Sequence, residues 1–261
     1  MTTAPLRNCT IVVTRPLAQA GGLIEKLEIL GANVTHFPVI AISAAENQQQ
    51  LLNQAKTLCS YDIAIFISRN AAIYGSELIK QTGDWPPNTQ IAAIGEGTVQ
   101  QLQAQGLSTD IVASGVANSE NLLSTQAMNS VHGKRIVIFR GNGGREKLAD
   151  SLLKRGAVVD YIECYERKRP NISNNTLTRL WDKNTLHGII LTSAEGLKNL
   201  YKMVKKDDLV RLNTTPIYVI SSTMVELCGN LGYKLVPIQM ASARDDDVIE
   251  AVLANCTAKT Q

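Results

Sequence analysis

The sequence lacks the features of membrane, zinc-binding and disulfide-rich proteins. No apolar stretch approaches the ~20 residues that a membrane-spanning helix needs, and the first ten residues, MTTAPLRNCT, contain no apolar core of an export signal. The five cysteines show no C-x-x-C spacing and the three histidines lie far apart, so we expect neither a metal site nor a disulfide framework. An odd cysteine count without an export signal is typical of the reducing cytosol, and we expect a cytoplasmic protein without membrane contact.

Common cofactor and nucleophile motifs are also absent. Segment 141–146 lacks the Gly-Lys-Ser/Thr end of a P-loop, and segment 95–100 holds only the first two glycines of the dinucleotide fingerprint. There is no G-x-S-x-G elbow, and Thr14-Arg15 stands where a receiver domain carries an acidic pair. If the chain is an enzyme, we expect it to work without a cofactor or a metal ion.

The composition indicates a globular chain of two domains. Its 261 residues are many for one ordinary domain and fit two of about 130 residues each. Apolar residues make up 44% and charged residues 19%, so each half can bury a core. The net charge is +3 and the pI is near 8.6, short of the value above ~9 that is typical of nucleic-acid-binding domains. We expect no nucleic-acid partner, and a small anionic ligand fits this balance.

An internal repeat is the strongest signal in the sequence. Ile11 aligns with Ile136, an offset of 125 residues (136 − 11), and IVVTRPLAQAGGLIEKLEILGANV then lies over IVIFRGNGGREKLADSLLKRGAVV without a gap. The same offset pairs Ile65 with Ile190, so it holds well beyond these segments. One offset held so long indicates a duplication.

Each copy alternates short apolar strands with amphipathic helices. In the first copy, IVVT (11–14) is followed by Pro16, which suits the first turn of a helix, and by apolar residues at helical spacing as far as Gly31. This alternation predicts an α/β fold with two flavodoxin-like parallel-sheet domains. The further predicted strands are DIAIFI (62–67), IAAIG (91–95), DIVA (110–113), GIILT (188–192), PIYVIS (216–221) and KLVP (234–237).

Hydroxyl groups, glycines and arginines follow the predicted strands in both copies. Ligands of open α/β sheets bind at the carboxyl ends of strands, against helix N-termini, and such residues suit carboxylates or phosphates. The candidate ligand-binding residues are Arg15, Ser68, Asn70, Gly95, Thr98, Arg140, Gly141, Arg145, Thr192, Ser193, Ser222 and Thr223.

Purely structural roles account for many of the same residues. Ser, Thr and Asn before a helix are N-caps in any α/β protein, and Gly31, Gly106, Gly156 and Gly232 are typical helix stops. Tyr165, which ends an extended segment, carries a phenol that is protonated at neutral pH and can donate a proton. A strand tyrosine that only packs against a neighbour is the simpler alternative.

Six segments together resemble the uroporphyrinogen-III synthase family, and the resemblance covers about residues 9–255. The order and spacing of the segments carry the resemblance, because the family diverges strongly. Ile220-Ser221-Ser222-Thr223 and Phe66-Ile67-Ser68 depart from the family's usual Ile-Gly-x-x-Thr and Phe-Thr-Ser. The segments are IVVTRP, FISRNA (66–71), AIGEGT (93–98), RGNGGREKLADSLLKRGA (140–157), YIECYER (161–167) and ILTSAEGLKNL (190–200).

The resemblance implies two α/β domains joined by a two-stranded linker that the chain crosses twice. Domain one is then 1–37 plus 168–261, and domain two is 38–167. The linker strands fall near 36–42 and 160–167. The residues alone leave open whether the chain crosses in this way or forms two tandem domains.

The resemblance also implies a reaction. Family members act on the linear tetrapyrrole hydroxymethylbilane, expel its hydroxyl as water, invert ring D and close the ring to uroporphyrinogen III, through an azafulvene cation and a spiro intermediate. This is a cofactor-independent hydro-lyase, a carbon–oxygen lyase of heme and siroheme biosynthesis. Tyr165 matches the family's usual candidate acid, and Thr223 matches a threonine at the edge of the cleft. We expect a monomer that takes over its substrate from the preceding enzyme of the pathway.

Two other functions fit the residues. A non-catalytic bilobed module that binds a small anion has the same α/β plan, since fold alone does not determine function. A phosphosugar-binding enzyme built around Arg140–Arg145 is the other alternative.

Overall fold

A computed structural model describes residues 4–256 of the chain, except 114, 116, 144, 145 and 174. The chain divides into two compact units. Unit 1 contains the residues up to Ala41 and those from Lys168 onwards, and unit 2 contains Ile42–Arg167. No helix in the described residues is long and apolar enough to cross a membrane.

The first stretch of unit 1 is a strand–helix–strand segment: β1 (Thr10–Val13), α1 (Leu17–Ile29) and β2 (Asn33–His36). All four residues of β1 are buried, as expected for a strand covered on both faces. The helix ends before Gly31, whose φ of +93° suits glycine, and a Cβ there would lie 2.8 Å from the Ala4 side chain.

Unit 2 follows as one continuous stretch. Its strands are β3 (Ala41–Ala44), β4 (Ile63–Phe66), β5 (Gln90–Ala93), β6 (Ile111–Val112), β7 (Arg135–Gly141) and β8 (Val158–Lys168). Its helices are α2 (Gln48–Ala55), α3 (Arg69–Lys80), α4 (Glu96–Ala104), α5 (Ser119–Leu123), α6 (Gln126–Asn129) and α7 (Lys147–Lys154), with a 3₁₀ turn at Leu58–Ser60.

The second stretch of unit 1 completes the chain. Its strands are β9 (Leu186–Ile190), β10 (Ile217–Val219) and β11 (Ile238–Gln239). Its helices are α8 (Asn175–Asp182), α9 (Ala194–Met203), α10 (Leu209–Leu212), α11 (Ser222–Asn230) and α12 (Asp245–Cys256), with a 3₁₀ turn at Lys206–Asp208.

Both units contain the flavodoxin-like strand order that the sequence predicts. In unit 1 the order is β11-β10-β9-β1-β2, and every pairing is parallel. In unit 2 the order is β3-β8-β7-β4-β5-β6, and the pairings among β8, β7, β4, β5 and β6 are parallel. The prediction of an α/β fold with two parallel sheets is confirmed.

The two copies of the repeat exchange halves. The 125-residue offset relates β1 to β7, β2 to β8 and β4 to β9. In unit 1, β1 from the first copy pairs with β9 from the second. In unit 2, β7 from the second copy pairs with β4 from the first. Each sheet therefore combines strands from both copies.

The core of unit 2 lies on both faces of its sheet. On one face, the rings of Phe66 and Phe139 stack with centroids 4.5 Å apart, and helix α3 packs against them. A Cβ at Gly75 of α3 would lie within 3.0 Å of both rings, so the absence of a side chain lets the helix approach closely. On the other face, Ile65 and Ile138 form a second cluster with α7.

Two local expectations differ from the structure. KLVP is not a strand, since β11 begins at Ile238, after Pro237. The predicted linker strand 36–42 is interrupted, because residues 37–40 lie between β2 and β3 and include Pro38. Near the start of the described residues, Leu6 belongs to the core of unit 1: it is 1% exposed, and its N–H donates to the Leu30 carbonyl at 3.0 Å.

The expectation that no cysteines pair is also wrong. Cys9 and Cys256 form a disulfide, with 6.3 Å between their Cα atoms. The two cysteines are 247 residues apart in the chain, and they meet because α12 packs on α1 in the same core as β1. Cysteine spacing carries no signal for such a pairing. A disulfide is also at odds with the expected reducing compartment.

We predict that breaking this bond destabilises unit 1. Cys256→Ser should lower the free energy of unfolding by about 2–5 kcal/mol under oxidising conditions, since a crosslink that closes a long loop restricts the unfolded chain. Thermal unfolding with and without reductant measures the effect. Cys59→Ser is the matched control, because Cys59 is free and exposed. A wild-type melting temperature that does not respond to reductant would contradict the prediction.

Candidate active site

The predicted site residues of unit 1 lie along one edge of its sheet. Strands β1, β9 and β10 are neighbours and parallel, so the residues that follow them share the carboxyl edge. Ser193 caps α9, and its hydroxyl accepts a hydrogen bond from the Gly196 N–H at 3.0 Å. Ser222 and Thr223 are in the first turn of α11, and both are exposed. Thr192, which follows β9, is half-buried.

Arg15 is held inside unit 1. Its side chain is 9% exposed, Nη1 lies 2.5 Å from Asp245 Oδ1, and Nη2 donates to the Ala243 carbonyl at 2.6 Å. Both contacts tie the end of β1 to the start of α12. The arginine is therefore engaged within its own unit, and its role in binding carboxylates stays a prediction.

In unit 2, the structure brings Ser68, Gly141 and Tyr165 together. Tyr165 is 5% exposed, and its hydroxyl lies 3.2 Å from Ser68 Oγ. Ser68 caps α3 by accepting the Ala71 N–H at 3.0 Å. Gly141 ends β7 opposite Tyr165, and the Asn142 N–H donates to the Tyr165 carbonyl at 3.0 Å. A phenol thus meets the N-terminus of a 12-residue helix.

The neighbouring thiol is not available as a nucleophile. Cys164 is 2% exposed, and burial raises its pKa to about 12. At neutral pH the thiol is protonated, and only the thiolate reacts as a nucleophile. Tyr165 stays the predicted proton donor at this edge.

Arg140 is also held inside its own unit. Its side chain is 4% exposed, lies 3.0 Å from Glu146 Oε1 and 3.7 Å from Glu163 Oε1, and stacks over the Tyr161 ring at 4.6 Å. Hydrogen bonds from Tyr161 and Arg140 hold the pKa of the Glu146 carboxyl below its ordinary value. Burial, and after it the hydrogen bond to Glu146, raise the pKa of Tyr161 to about 12. Carboxylate binding by Arg140 stays a prediction, and Arg145 lies outside the described residues.

Arg69 is an exposed cation at the same edge. It begins α3, directly after Ser68, and no carboxylate of the described residues pairs with it. Gly97 makes room for it, since a Cβ there would lie 2.5 Å from Arg69 Nε. A cation at a helix N-terminus opposes the helix dipole, so this arginine does not serve the stability of α3.

The remaining predicted residues of unit 2 lie beside Arg69. Asn70 is half-buried in the first turn of α3. Gly95 is buried and precedes α4, and a Cβ there would clash with the Ala117 side chain. Thr98 is 4% exposed, in the first turn of α4. The N-termini of α3 and α4 thus both lie at the carboxyl edge of the unit 2 sheet, although Thr98 offers little surface to a ligand.

A cavity of about 320 Å³ in unit 2, beside Asn142, does not suit an anion. It is lined by the amides of Asn47, Gln50 and Gln54 and by the carboxylates of Glu163 and Glu166. Carboxylates repel a multiply anionic ligand, which favours the edge at Arg69 instead. Among the described residues, no group of three or more His, Cys, Asp or Glu side chains could hold a metal ion.

Sequence reasoning did not select Arg69 or Tyr74 as site residues. Arg69 stands within FISRNA, but the predicted ligand-binding residues there were its neighbours Ser68 and Asn70. The ring of Tyr74, one of the residues of α3, stacks near Tyr165 with centroids 5.9 Å apart. The small residues Ala71, Ala72 and Gly75 mark the face of α3 that approaches the sheet. This pattern is the sequence signal that could have placed α3 close to Tyr165.

Comparison with known proteins identifies the family of the chain. The family model described as "Uroporphyrinogen-III synthase HemD" matches residues 22–241. The chain is 29% identical over 245 residues to uroporphyrinogen-III synthase of Escherichia coli K12, covering 92% of this chain and 98% of that one. It is 33% identical over 159 residues to the Proteus mirabilis uroporphyrinogen-III synthase, covering 60% of this chain and 80% of that one.

Solved structures share the fold. A mutant uroporphyrinogen III synthase from Thermus thermophilus matches with a TM-score of 0.63 at 16% identity, covering 97% of this chain and 100% of that one. The uroporphyrinogen-III synthetase of Helicobacter pylori 26695 matches with a TM-score of 0.59 at 15% identity, covering 94% and 99%. The family model spans well over half of the sequence, and the chain belongs to the uroporphyrinogen-III synthase family.

Proposed function

We propose that the protein closes hydroxymethylbilane to uroporphyrinogen III, inverting ring D and releasing water, as a hydro-lyase that needs no cofactor. Membership of the uroporphyrinogen-III synthase family supports this reaction. The observation that carries the chemistry is the hydrogen bond between Tyr165 and Ser68 at the N-terminus of α3. Family membership does not favour the non-catalytic anion-binding alternative.

Tyr165 supplies the proton in this proposal. The phenol donates its proton to the departing hydroxyl of the substrate, the carbon–oxygen bond breaks, and water leaves behind an azafulvene cation. The α-carbon of ring D that already carries the bridge to ring C attacks this cation and becomes the spiro centre. The old bridge bond then breaks and re-forms at the other α-carbon of ring D, which inverts the ring. The proton of that carbon returns to the phenolate as the pyrrole becomes aromatic again. Overall, hydroxymethylbilane gives uroporphyrinogen III and one water. The N-terminal end of α3 favours negative charge on the oxygen atoms beside it.

The substrate also needs groups that hold its acetates and propionates. Arg69 suits this task, because it is exposed and unpaired among the described residues, whereas Arg15 and Arg140 already contact carboxylates of their own units. Backbone N–H groups at the start of α3 and α4 add neutral donors. Orientation of a flexible substrate by such contacts is itself a large part of catalysis.

The remaining expectations form part of the same proposal. The protein consists of domain one, 1–37 plus 168–261, and domain two, 38–167, and it is a cytoplasmic monomer that receives a linear tetrapyrrole from the preceding enzyme. The net charge of +3 agrees with a polyanionic substrate.

The isomer of the product tests the function. With hydroxymethylbilane as substrate, we expect uroporphyrinogen III to form faster than the spontaneous closure, which keeps ring D uninverted. Chromatographic separation of the isomers after oxidation to porphyrins is the measurement. Isomer I as the sole product would refute the assignment.

Tyr165→Phe tests the acid. The variant keeps the ring and loses the proton donor, so kcat should fall about 10²-fold with little change in KM. Steady-state kinetics and a thermal unfolding curve are the measurements. Tyr61→Phe is the matched control, since it removes a hydroxyl that donates to Asp160 at 2.8 Å in the same unit. Equal kcat values for Tyr165→Phe and the wild type would remove this residue from the mechanism.

Arg69→Gln tests carboxylate binding. Loss of one charge-assisted hydrogen bond of about 1–2 kcal/mol should raise KM roughly 5- to 30-fold and leave kcat near its wild-type value. The melting temperature should stay level or rise, because the substitution relieves an unfavourable charge at a helix N-terminus. Arg135→Gln, at the opposite end of β7, controls for net charge. A KM that rises by the same factor in both variants would argue against a contact by Arg69.

A further inference from the structure

We infer that Gly141 and a bulge in β8 form a positioning device that carries the Tyr165 hydroxyl across β7 to Ser68. The inference rests on the proposed role of Tyr165 and gives Gly141 a task different from the ligand contact that the sequence suggested. Strand register, the space at Gly141 and the rings around Tyr165 support it.

The register of β7 and β8 shifts just before the site. Arg140 pairs with Glu163, whereas Gly141 pairs with Tyr165, so Cys164 is an extra residue in β8. Strict alternation would put Tyr165 on the same face as Glu163. The bulge turns it to the other face, where Cys164 and Tyr165 belong to the core cluster that contains Phe139. Bulges beside active sites commonly re-aim one side chain in this way.

Tyr165 and Ser68 belong to segments that are not neighbours. The sheet order is β8-β7-β4, and Ser68 follows β4, so β7 lies between the two residues. Adjacent strands are about 4.8 Å apart, and the two segments are therefore separated by about twice that distance. The phenol bridges the gap only by lying across the end of β7.

The end of β7 has no side chain in the path of the ring. A Cβ at Gly141 would lie 3.0 Å from Cδ2 of Tyr165 and only 2.6 Å from Cζ, and the second distance is shorter than real Cβ contacts. Gly141 is the last residue of β7, and its carbonyl accepts from Arg140 Nε at 3.3 Å. The backbone is thus fixed, and an added methyl group would have to displace the ring.

Tyr74 limits where the displaced ring can go. Its ring lies at 25° to that of Tyr165, and its hydroxyl donates to the Ile42 carbonyl at 3.3 Å. The neighbouring residues Ala71 and Ala72 of α3 are fully buried. A methyl group at Gly141 should therefore shift the phenol away from Ser68 rather than into the core.

Gly141→Ala tests the inference. We expect kcat to fall about 10²-fold, as for a reacting group displaced by about 1 Å, with little change in KM. Combined with Tyr165→Phe, the same substitution should change kcat less than about twofold, because no hydroxyl remains to be misplaced. The ring is still present in the double variant, so any cost to folding persists while the cost to catalysis disappears.

Gly188→Ala is the matched control. Gly188 lies on β9 of unit 1, and a Cβ there would stand 2.5 Å from Cε2 of Tyr218, a buried ring outside the site. This variant should lower the melting temperature by an amount similar to Gly141→Ala. Its kcat, measured well below its melting temperature, should match the wild type.

The outcomes separate this inference from the role of Tyr165. If Tyr165→Phe lowers kcat and Gly141→Ala does not, the positioning device is refuted and the acid stands. The positioning device is also refuted if Gly141→Ala lowers kcat by the same factor in the wild-type and Tyr165→Phe backgrounds, or if it changes KM alone. If Tyr165→Phe leaves kcat unchanged, the role of Tyr165 as the acid and the positioning device at Gly141 are both refuted. Should Gly141→Ala not fold, Tyr74→Leu replaces it, with the same expected loss of kcat and the same dependence on the Tyr165 hydroxyl.

Discussion

The parallel pairing of the central strands is the constraint on which the rest of the structure depends. In unit 1, β1 lies beside β9, and in unit 2, β7 lies beside β4. Each of these pairs joins the two copies of the repeat, so neither sheet can form from one copy alone. In both sheets this pair is the point where strand order reverses. Ligands of doubly wound sheets bind at such a point, and Ser68, Gly141 and Tyr165 meet there in unit 2.

The arginines at the edges of the two sheets have different tasks. Arg15 and Arg140 are buried, and each is satisfied by a carboxylate of its own unit. These guanidinium groups hold helices to strands, a role in which a buried, paired charge is costly to disrupt. Arg69 is the exposed counterpart, and its position at a helix N-terminus costs stability. A residue that opposes local stability is a better candidate for ligand binding than one that secures the fold.

The fold class and most strands could be predicted from the sequence, because apolar alternation and helix stops at Gly31 and Gly156 are local signals. The position of Ser68 after a predicted strand selected it as a candidate, whereas Tyr165 was raised above a packing role by the family resemblance. Three features were beyond it. The Cys9–Cys256 bond depends on helix packing between chain ends. The pairing of Arg140 with a carboxylate depends on side-chain geometry. The bulge in β8 changes the face of Tyr165, and a shift of one residue leaves no trace in hydrophobic periodicity.

The exchange of halves has a consequence for synthesis on the ribosome. Unit 2 is one continuous stretch, so all of its strands are available once Lys168 has left the exit tunnel. Strands β1 and β2 emerge first but find their neighbour β9 only after the whole of unit 2 has been made. For that interval the apolar faces of α1 and β1 are exposed with no sheet to cover them. Nascent chains of this protein therefore carry their aggregation hazard at the N-terminus, and the last unit to finish is the one that began first.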